Sequence, residues 1–224
     1  MQGFYLINKP AGPTSHDVVD RLREITGEKT IGHAGTLDPQ ACGLLIIAVG
    51  REYTKQIAKF VGMDKEYEAE ITFGKTSTTY DAEGKLTEVS GQAPSKEQIE
   101  QVLKSLEGEV MQTPPIFSAK RVKGKKAYQL AREGKPVDLE PVRVTIYYIK
   151  LIKYKYPKLE ILTKVSSGTY IRALANEIGL TLNVGGYLTA LKRTKVGEFY
   201  LKDAIDLDHI TATEDLVKVK IEAP

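Results

Sequence analysis

Apolar residues along this chain keep two different periods, and the switches between them mark out its elements. Residues 3–8 alternate weakly and read as a short strand, followed by a turn at Pro10-Ala11-Gly12-Pro13-Thr14. Val18, Val19, Leu22 and Ile25 then share one face of a helix, with Ser15 as its expected N-cap and Gly27 as its stop. The unbroken apolar run at 44–49 reads as a buried strand, 53–61 as a short helix, and the period-two stretch at 66–73 as a half-buried strand. A polar loop carrying Asp81 and Gly84 covers 74–85. Ser95 and Gln98 have capping-box spacing ahead of Ile99, Val102, Leu103 and Leu106, and Gly108 ends that helix. After the break at Pro114-Pro115, residues 116–140 read as an excursion: a short strand, a basic turn around Gly124, and a helix near 126–133. Strands at 142–154 and 158–165 form a hairpin about Tyr156-Pro157, a helix covers 169–179, and 187–201 is strand-rich. Strands and helices do not alternate steadily, so the expectation is an α+β fold: a mixed, largely antiparallel sheet flanked by helices, in one domain spanning 1–224.

Composition changes this picture little. With 224 residues, 42% of them apolar, the chain can bury a core without disulfides, and its one cysteine allows no internal pair. No apolar run reaches the length of a membrane helix, and residues 1–10 lack the charged and apolar regions of a signal peptide. The expected setting is therefore the cytoplasm, with no membrane partner. The net charge of +3 is modest, but its distribution is not. Residues 118–135 carry seven lysines and arginines against Glu133 alone, and 150–158 interleave lysines with Tyr154 and Tyr156. Such patches suit RNA backbones and bases, and equally a solvated loop and a lysine-guarded strand edge.

Three segments could carry chemistry. Gly32-His33-Ala34-Gly35-Thr36-Leu37-Asp38-Pro39 sets one carboxylate in a glycine-punctuated loop against the strand at 44–49, with Pro39 keeping Asp38 out of the helical region. Asp38 is either an ordinary turn former or a nucleophile or general base. A phosphatase-type aspartate loop is excluded by His33 and Ala34, and a P-loop by the missing Gly-Lys-Ser/Thr. His16, His33 and His209 stand far apart and one cysteine offers no paired spacing, so no metal is expected. In Gly168-Thr169-Tyr170-Ile171-Arg172 a cation falls in the first turn of a helix, where the macrodipole disfavours it, unless it serves a nearby carboxylate or phosphate. Tyr67 offers a ring with a polar tip that could pack in a core or contact a nucleobase.

Taken in order, these segments resemble the TruB family of tRNA pseudouridine synthases. The matching pieces are Asn8-Lys9-Pro10 with Gly12-Pro13-Thr14-Ser15, then 32–39 with Ala41 and Gly43, then Lys65-Glu66-Tyr67, Gly168-Thr169-Tyr170-Ile171-Arg172 and Leu191-Lys192-Arg193, spanning roughly residues 3–208. The resemblance implies a pseudouridine-synthase fold and isomerisation of the T-loop uridine of tRNA (position 55) without a cofactor. It implies Asp38 as the catalytic aspartate, Arg172 as its buried salt-bridge partner and Tyr67 as the ring on the flipped uracil. His33 would help hold the T loop, and Tyr170 and Leu191 would wall the pocket. Lys9 and Asp81 are further expected substrate-side positions. The excursion at 114–137 resembles the family's mobile thumb, whose Lys123, Lys125 and Lys126 would contact RNA. The stretch after 205 is too short for a C-terminal PUA-type domain, so the chain is either a minimal form or a truncated one; a monomer acting on the tRNA T arm is expected. The alternative is an RNA-folding module on the same fold, in which catalysis is not the essential role.

Overall fold

The computed structural model describes residues 2–223 except 90, 119, 123 and 134–136. In chain order its elements are β1 (Gly3–Lys9), α1 (Ser15–Thr26), β2 (Ile31–Ala34), β3 (Cys42–Val49), α2 (Arg51–Thr54), α3 (Ala58–Val61), β4 (Lys65–Phe73), β5 (Lys75–Ser77), β6 (Leu86–Glu88), α4 (Lys96–Ser105), β7 (Gly108–Gln112), β8 (Arg121–Val122), β9 (Lys125–Lys126) and α5 (Ala127–Arg132). They continue with β10 (Val142–Lys155), β11 (Lys158–Val165), α6 (Ile171–Thr181), β12 (Gly186–Val196), β13 (Phe199–Tyr200), β14 (Ile205–Asp206) and β15 (Lys220–Ile221), with 3₁₀ turns among the last of them. The chain clusters into two compact units: Met1–Glu68 with Ala190–Pro224, and Ala69–Thr189. It passes from one to the other within β4 and β12.

In the first unit β1 and β3 pair antiparallel from Gly3↔Val49 to Lys9↔Gly43. Residues 44–49 are all buried, which is why that stretch reads as continuous apolar sequence and not as an alternating strand. β2 joins the same strand antiparallel, with His33 opposite Ile47, and the second half of β12 joins it parallel, with Arg193 opposite Gly43. Val18, Val19 and Leu22 of α1 pack into this core with Phe4, and Phe60 packs on Phe4 with tilted rings whose centroids are 4.6 Å apart. The expected helix at 53–61 is two single turns, α2 and α3, and β2 is a strand too short to show as a period.

The N-cap of α1 is Thr14, one residue before the expected Ser15. The Asp17 N–H donates to Thr14 Oγ1 at 3.1 Å and the Thr14 N–H to the Asp17 carboxylate at 2.7 Å, a complete capping box. Ser15 is free for another use, because its buried hydroxyl bonds both polar groups of the Leu37 backbone.

In the second unit the strand order is β4, β11, β10, β7. The β10–β11 hairpin is antiparallel as expected, with two register shifts, and α4 packs on β10. Ser95 caps α4 through the expected box with Gln98. Gly108 does not end that helix, which stops at Ser105 with Leu106 as its C-cap; it opens β7, which pairs with β10 from Val142↔Gln112 to Ile146↔Gly108. The expected polar loop at 74–85 carries β5, which forms a small hairpin with β6. The excursion holds the β8–β9 hairpin and α5, anchored by buried Ala127, whose N–H donates to the Lys120 carbonyl.

One close approach tests the first unit. A Cβ on Gly43, at φ +104°, would meet the Arg193 carbonyl oxygen at 2.4 Å and its nitrogen at 2.7 Å. Gly43→Ala should therefore destabilise the protein by about 2–4 kcal/mol in urea melts. Gly62→Ala, at ordinary φ with open space around it, should shift stability by less than about 0.5 kcal/mol. Equal urea midpoints for the two variants would contradict the close approach.

Candidate active site

Asp38 lies on the loop between β2 and β3, and that loop is held by its backbone. Leu37 is buried while Asp38, its neighbour, is exposed, so the loop has an anchored side and a presenting side. Ser15 Oγ accepts from the Leu37 N–H at 2.9 Å and donates to its carbonyl at 3.1 Å. The Ala41 N–H donates to the Asp38 carbonyl at 3.0 Å, and the Gly12 N–H to the Pro39 carbonyl at 2.8 Å.

Two buried cations hold the rest. Lys9 has no exposed surface, and its Nζ donates to the carbonyls of Pro10 at 2.8 Å, Pro13 at 2.7 Å and Pro39 at 3.2 Å. An ammonium has three N–H donors, and three carbonyls take them. Lys9 therefore holds the loop from inside, in place of the substrate contact expected of it. Burial pushes its pKa down; Cys42, Asp17 and Asp38 oppose that, and Arg193 adds to it. Arg193 is 1% exposed. Its Nε donates to the Leu44 carbonyl at 2.7 Å and its Nη2 to the Gly35 carbonyl at 3.0 Å, so one guanidinium spans both ends of the loop.

Lys65 is a third buried cation in this unit. It donates to the carbonyls of Val61 and Met63, both at 2.6 Å. Burial first, and Arg193 second, bring its pKa down to about 8, against the pull of Asp64. Tyr67, two residues on along β4, is buried at 8% exposure. His33 on β2 and Leu191 on β12 are half-buried.

The second unit places Arg172, Asp81 and Tyr170 together at the start of α6. Arg172 is 6% exposed, and its Nη1 donates to Asp81 Oδ2 at 3.2 Å. Its Nη2 donates to the Phe117 carbonyl at 2.8 Å. The anion that a cation in a first helical turn demands is thus a carboxylate, and within this unit it is Asp81. Asp81 is itself fixed, because its Oδ1 accepts from Thr79 Oγ1 and from the Glu83 N–H. Tyr170 is half-buried, and its backbone bonds twice to the Gln112 side chain. Lys123 lies outside the described residues. Lys125 and Lys126 form β9, and their side chains also lie outside the described part.

Sequence reasoning gave no role to Arg193 or Gln112, and to Ser15 only that of a helix cap. Arg193 stands among Lys192, Thr194 and Lys195 on β12, so no local signal marks it as the buried cation. Ser15 and Gln112 gave none, since their partners lie 22 and 58 positions away.

Lys65 gives the site a pH signature. Its folded-state pKa of about 8 lies below its ordinary 10.5, so the unfolded chain holds the proton more tightly. The resulting penalty on folding is full below pH about 8 and is relieved as pH rises from about 8 toward 10.5. Lys65→Met removes it. The melting temperature of the wild type relative to Lys65→Met should rise across that window, and a difference independent of pH would refute the assignment.

The chain matches the family described as TruB family pseudouridylate synthase (N terminal domain) over residues 23–171. It is 42% identical over 217 residues to the tRNA pseudouridine synthase B of Aquifex aeolicus (strain VF5), covering 96% of this chain and 75% of that one. With the tRNA pseudouridine synthase B of Caldanaerobacter subterraneus subsp. tengcongensis it shares 46% over 213 residues, covering 94% and 74%. Among solved structures, a chain of a Cbf5-Nop10-Gar1 complex superposes with a TM-score of 0.74 at 30% identity, over 93% of this chain and 53% of that one. This chain thus spans about half the length of the solved chain it matches and about three quarters of these two curated relatives. A family match over some two thirds of the sequence and relatives above 40% identity lead to one conclusion: the chain belongs to the TruB family of pseudouridylate synthases.

Proposed function

We propose that this protein isomerises uridine to pseudouridine in tRNA, at the T-loop uridine, with Asp38 as the catalytic carboxylate. The observation that carries the reading is the Asp38 loop of a TruB-family chain: an exposed carboxylate between buried Leu37 and braced Pro39. The relatives' names supply the substrate class, tRNA.

The reaction breaks the N1–C1′ bond, turns the base and makes a C5–C1′ bond, while C5 loses a proton and N1 gains one. It consumes no oxidant or reductant. A single carboxylate can begin it by attacking C1′, by adding to C6 of the uracil, or by taking a sugar proton, and a rigid loop favours each by holding the oxygen at fixed reach. The target base must leave its stack, at a cost of about a few kcal/mol. In this reading Tyr67 meets the flipped base with His33 and Leu191 as further substrate-side residues of the first unit, and Tyr170 serves the substrate from the second. In the second unit Arg172, held by Asp81, is the basic member of the catalytic set in this reading. Lys123, Lys125 and Lys126 meet phosphates of the T arm. Among the described residues no helix is long and apolar enough to cross a membrane. We place the activity in the cytoplasm, with its tRNA substrate.

Release of tritium from a T-arm stem-loop labelled at uridine C5 measures the reaction directly, since C5 must lose its hydrogen. Asp38→Asn should lower kcat by about a thousandfold or more while leaving RNA binding in place. Turnover close to wild type in that variant would remove Asp38 from the mechanism, and an inactive wild type would remove the function. Replacing Lys123, Lys125 and Lys126 together by Gln should reduce the slope of log Kd against log salt by about two. An unchanged slope would exclude these lysines as phosphate contacts.

A further inference from the structure

β7 ends at Gln112, just before Thr113-Pro114-Pro115, where the basic excursion begins. The Gln112 side chain is turned back onto the chain. Its Oε1 accepts from the Tyr170 N–H at 2.8 Å and its Nε2 donates to the Tyr170 carbonyl at 3.2 Å. Only one orientation of the amide makes both bonds, with the oxygen toward N–H and the nitrogen toward C=O. Five residues further along, the Phe117 carbonyl accepts from Arg172 Nη2 at 2.8 Å. The stalk of the excursion is thus tied to the start of α6 at two points, 112 to 170 and 117 to 172.

The first of these ties replaces something α6 lacks. Tyr170 is the N-cap of α6, and it makes no side-chain capping bond. In a capping box the side chain at the third helical position accepts from the N-cap N–H. In α6 that position is Ala173, which has no acceptor. Gln112 supplies the missing acceptor from a strand 58 residues away and adds a donor to the Tyr170 carbonyl.

We propose that Gln112 is a positioning residue for Arg172: by closing both polar groups of the Tyr170 backbone it fixes the first turn of α6, and it makes the placement of Arg172 depend on the stalk of the excursion. The inference rests on the reading of Arg172 as part of the reacting site. It assigns Gln112 no contact with substrate. It predicts that loss of the amide is felt in turnover and in the local protection of Tyr170, with little effect on how tightly RNA is held.

The test compares wild type, Gln112→Met and Gln112→Glu. Methionine keeps the volume and loses both bonds, while glutamate keeps the acceptor for the Tyr170 N–H and loses the donor. Amide exchange at Tyr170 should quicken about tenfold or more in Gln112→Met, with amides in the middle of α6 unchanged, and should stay near wild type in Gln112→Glu. On the T-arm stem-loop, kcat should fall about tenfold in Gln112→Met with KM within about twofold, and Gln112→Glu should fall between the two. Unaltered exchange at Tyr170 in Gln112→Met would overturn the proposal, as would a wild-type kcat despite faster exchange, or a loss carried by KM. If Gln112→Met does not fold, Gln112→Glu decides alone, and wild-type turnover in it overturns the proposal. The exchange readout needs no activity. An inactive wild type sinks the functional reading, a different result from an active wild type that Gln112→Met matches.

Discussion

An ammonium ion without exposed surface must have every proton accepted, and in this protein that requirement shapes the reactive loop. Lys9 closes β1, and its three acceptors come from Pro10, Pro13 and Pro39. Two lie in the turn before α1 and the third follows Asp38. Removing a charge from water costs several kcal/mol unless hydrogen bonds replace the lost hydration, so the fold cannot relax this arrangement cheaply. Arg193 repeats the device from β12, binding carbonyls on either side of the same loop. Ser15 adds a neutral version at Leu37. Asp38 is thereby presented by a segment whose main chain is held at several points by side chains from outside it.

The second unit solves a related problem differently. Arg172 is also buried, but there a carboxylate answers it, and that carboxylate is itself held by Thr79 Oγ1 and the Glu83 N–H. A charge pair of this kind is sensitive to the direction of the guanidinium fork, because an arginine binds through fixed planar geometry. That sensitivity gives the start of α6 its importance. The two ties to the stalk act on the helix turn that aims Arg172.

Much of this was legible in the sequence wherever the signal is local. The β10–β11 hairpin, the Ser95 capping box and the buried run of β3 follow from spacing within a few residues, and all three are in the fold. The Asp38 loop was legible because glycine and proline punctuation acts over one or two residues, and Arg172 announced an anion by standing in a first helical turn. Partnerships across the chain were not legible. Thr14 and Ser15 are adjacent hydroxyls, and only the distant Leu37 decides which one caps α1. Lys9 reads as a substrate-side position, and its three carbonyl partners include one 30 positions away at Pro39. The burial of Arg193 depends on parallel pairing with Gly43, 150 positions earlier, and no period within β12 encodes that. β2 and the β5–β6 hairpin escaped notice because three or four residues are too few to establish alternation.

The brace on the Asp38 loop ends on main-chain oxygens, and this divides the mutational load unevenly. Pro10, Pro13, Gly35, Pro39 and Leu44 each contribute a carbonyl, which every amino acid possesses. As far as the brace is concerned, these positions can drift in identity so long as the backbone path is kept. Lys9 and Arg193 have no such latitude, since no other side chain delivers three donors, or a fork spanning two carbonyls, to the same places. The side chains on which the brace itself depends are thus two cations remote in sequence from the loop they hold.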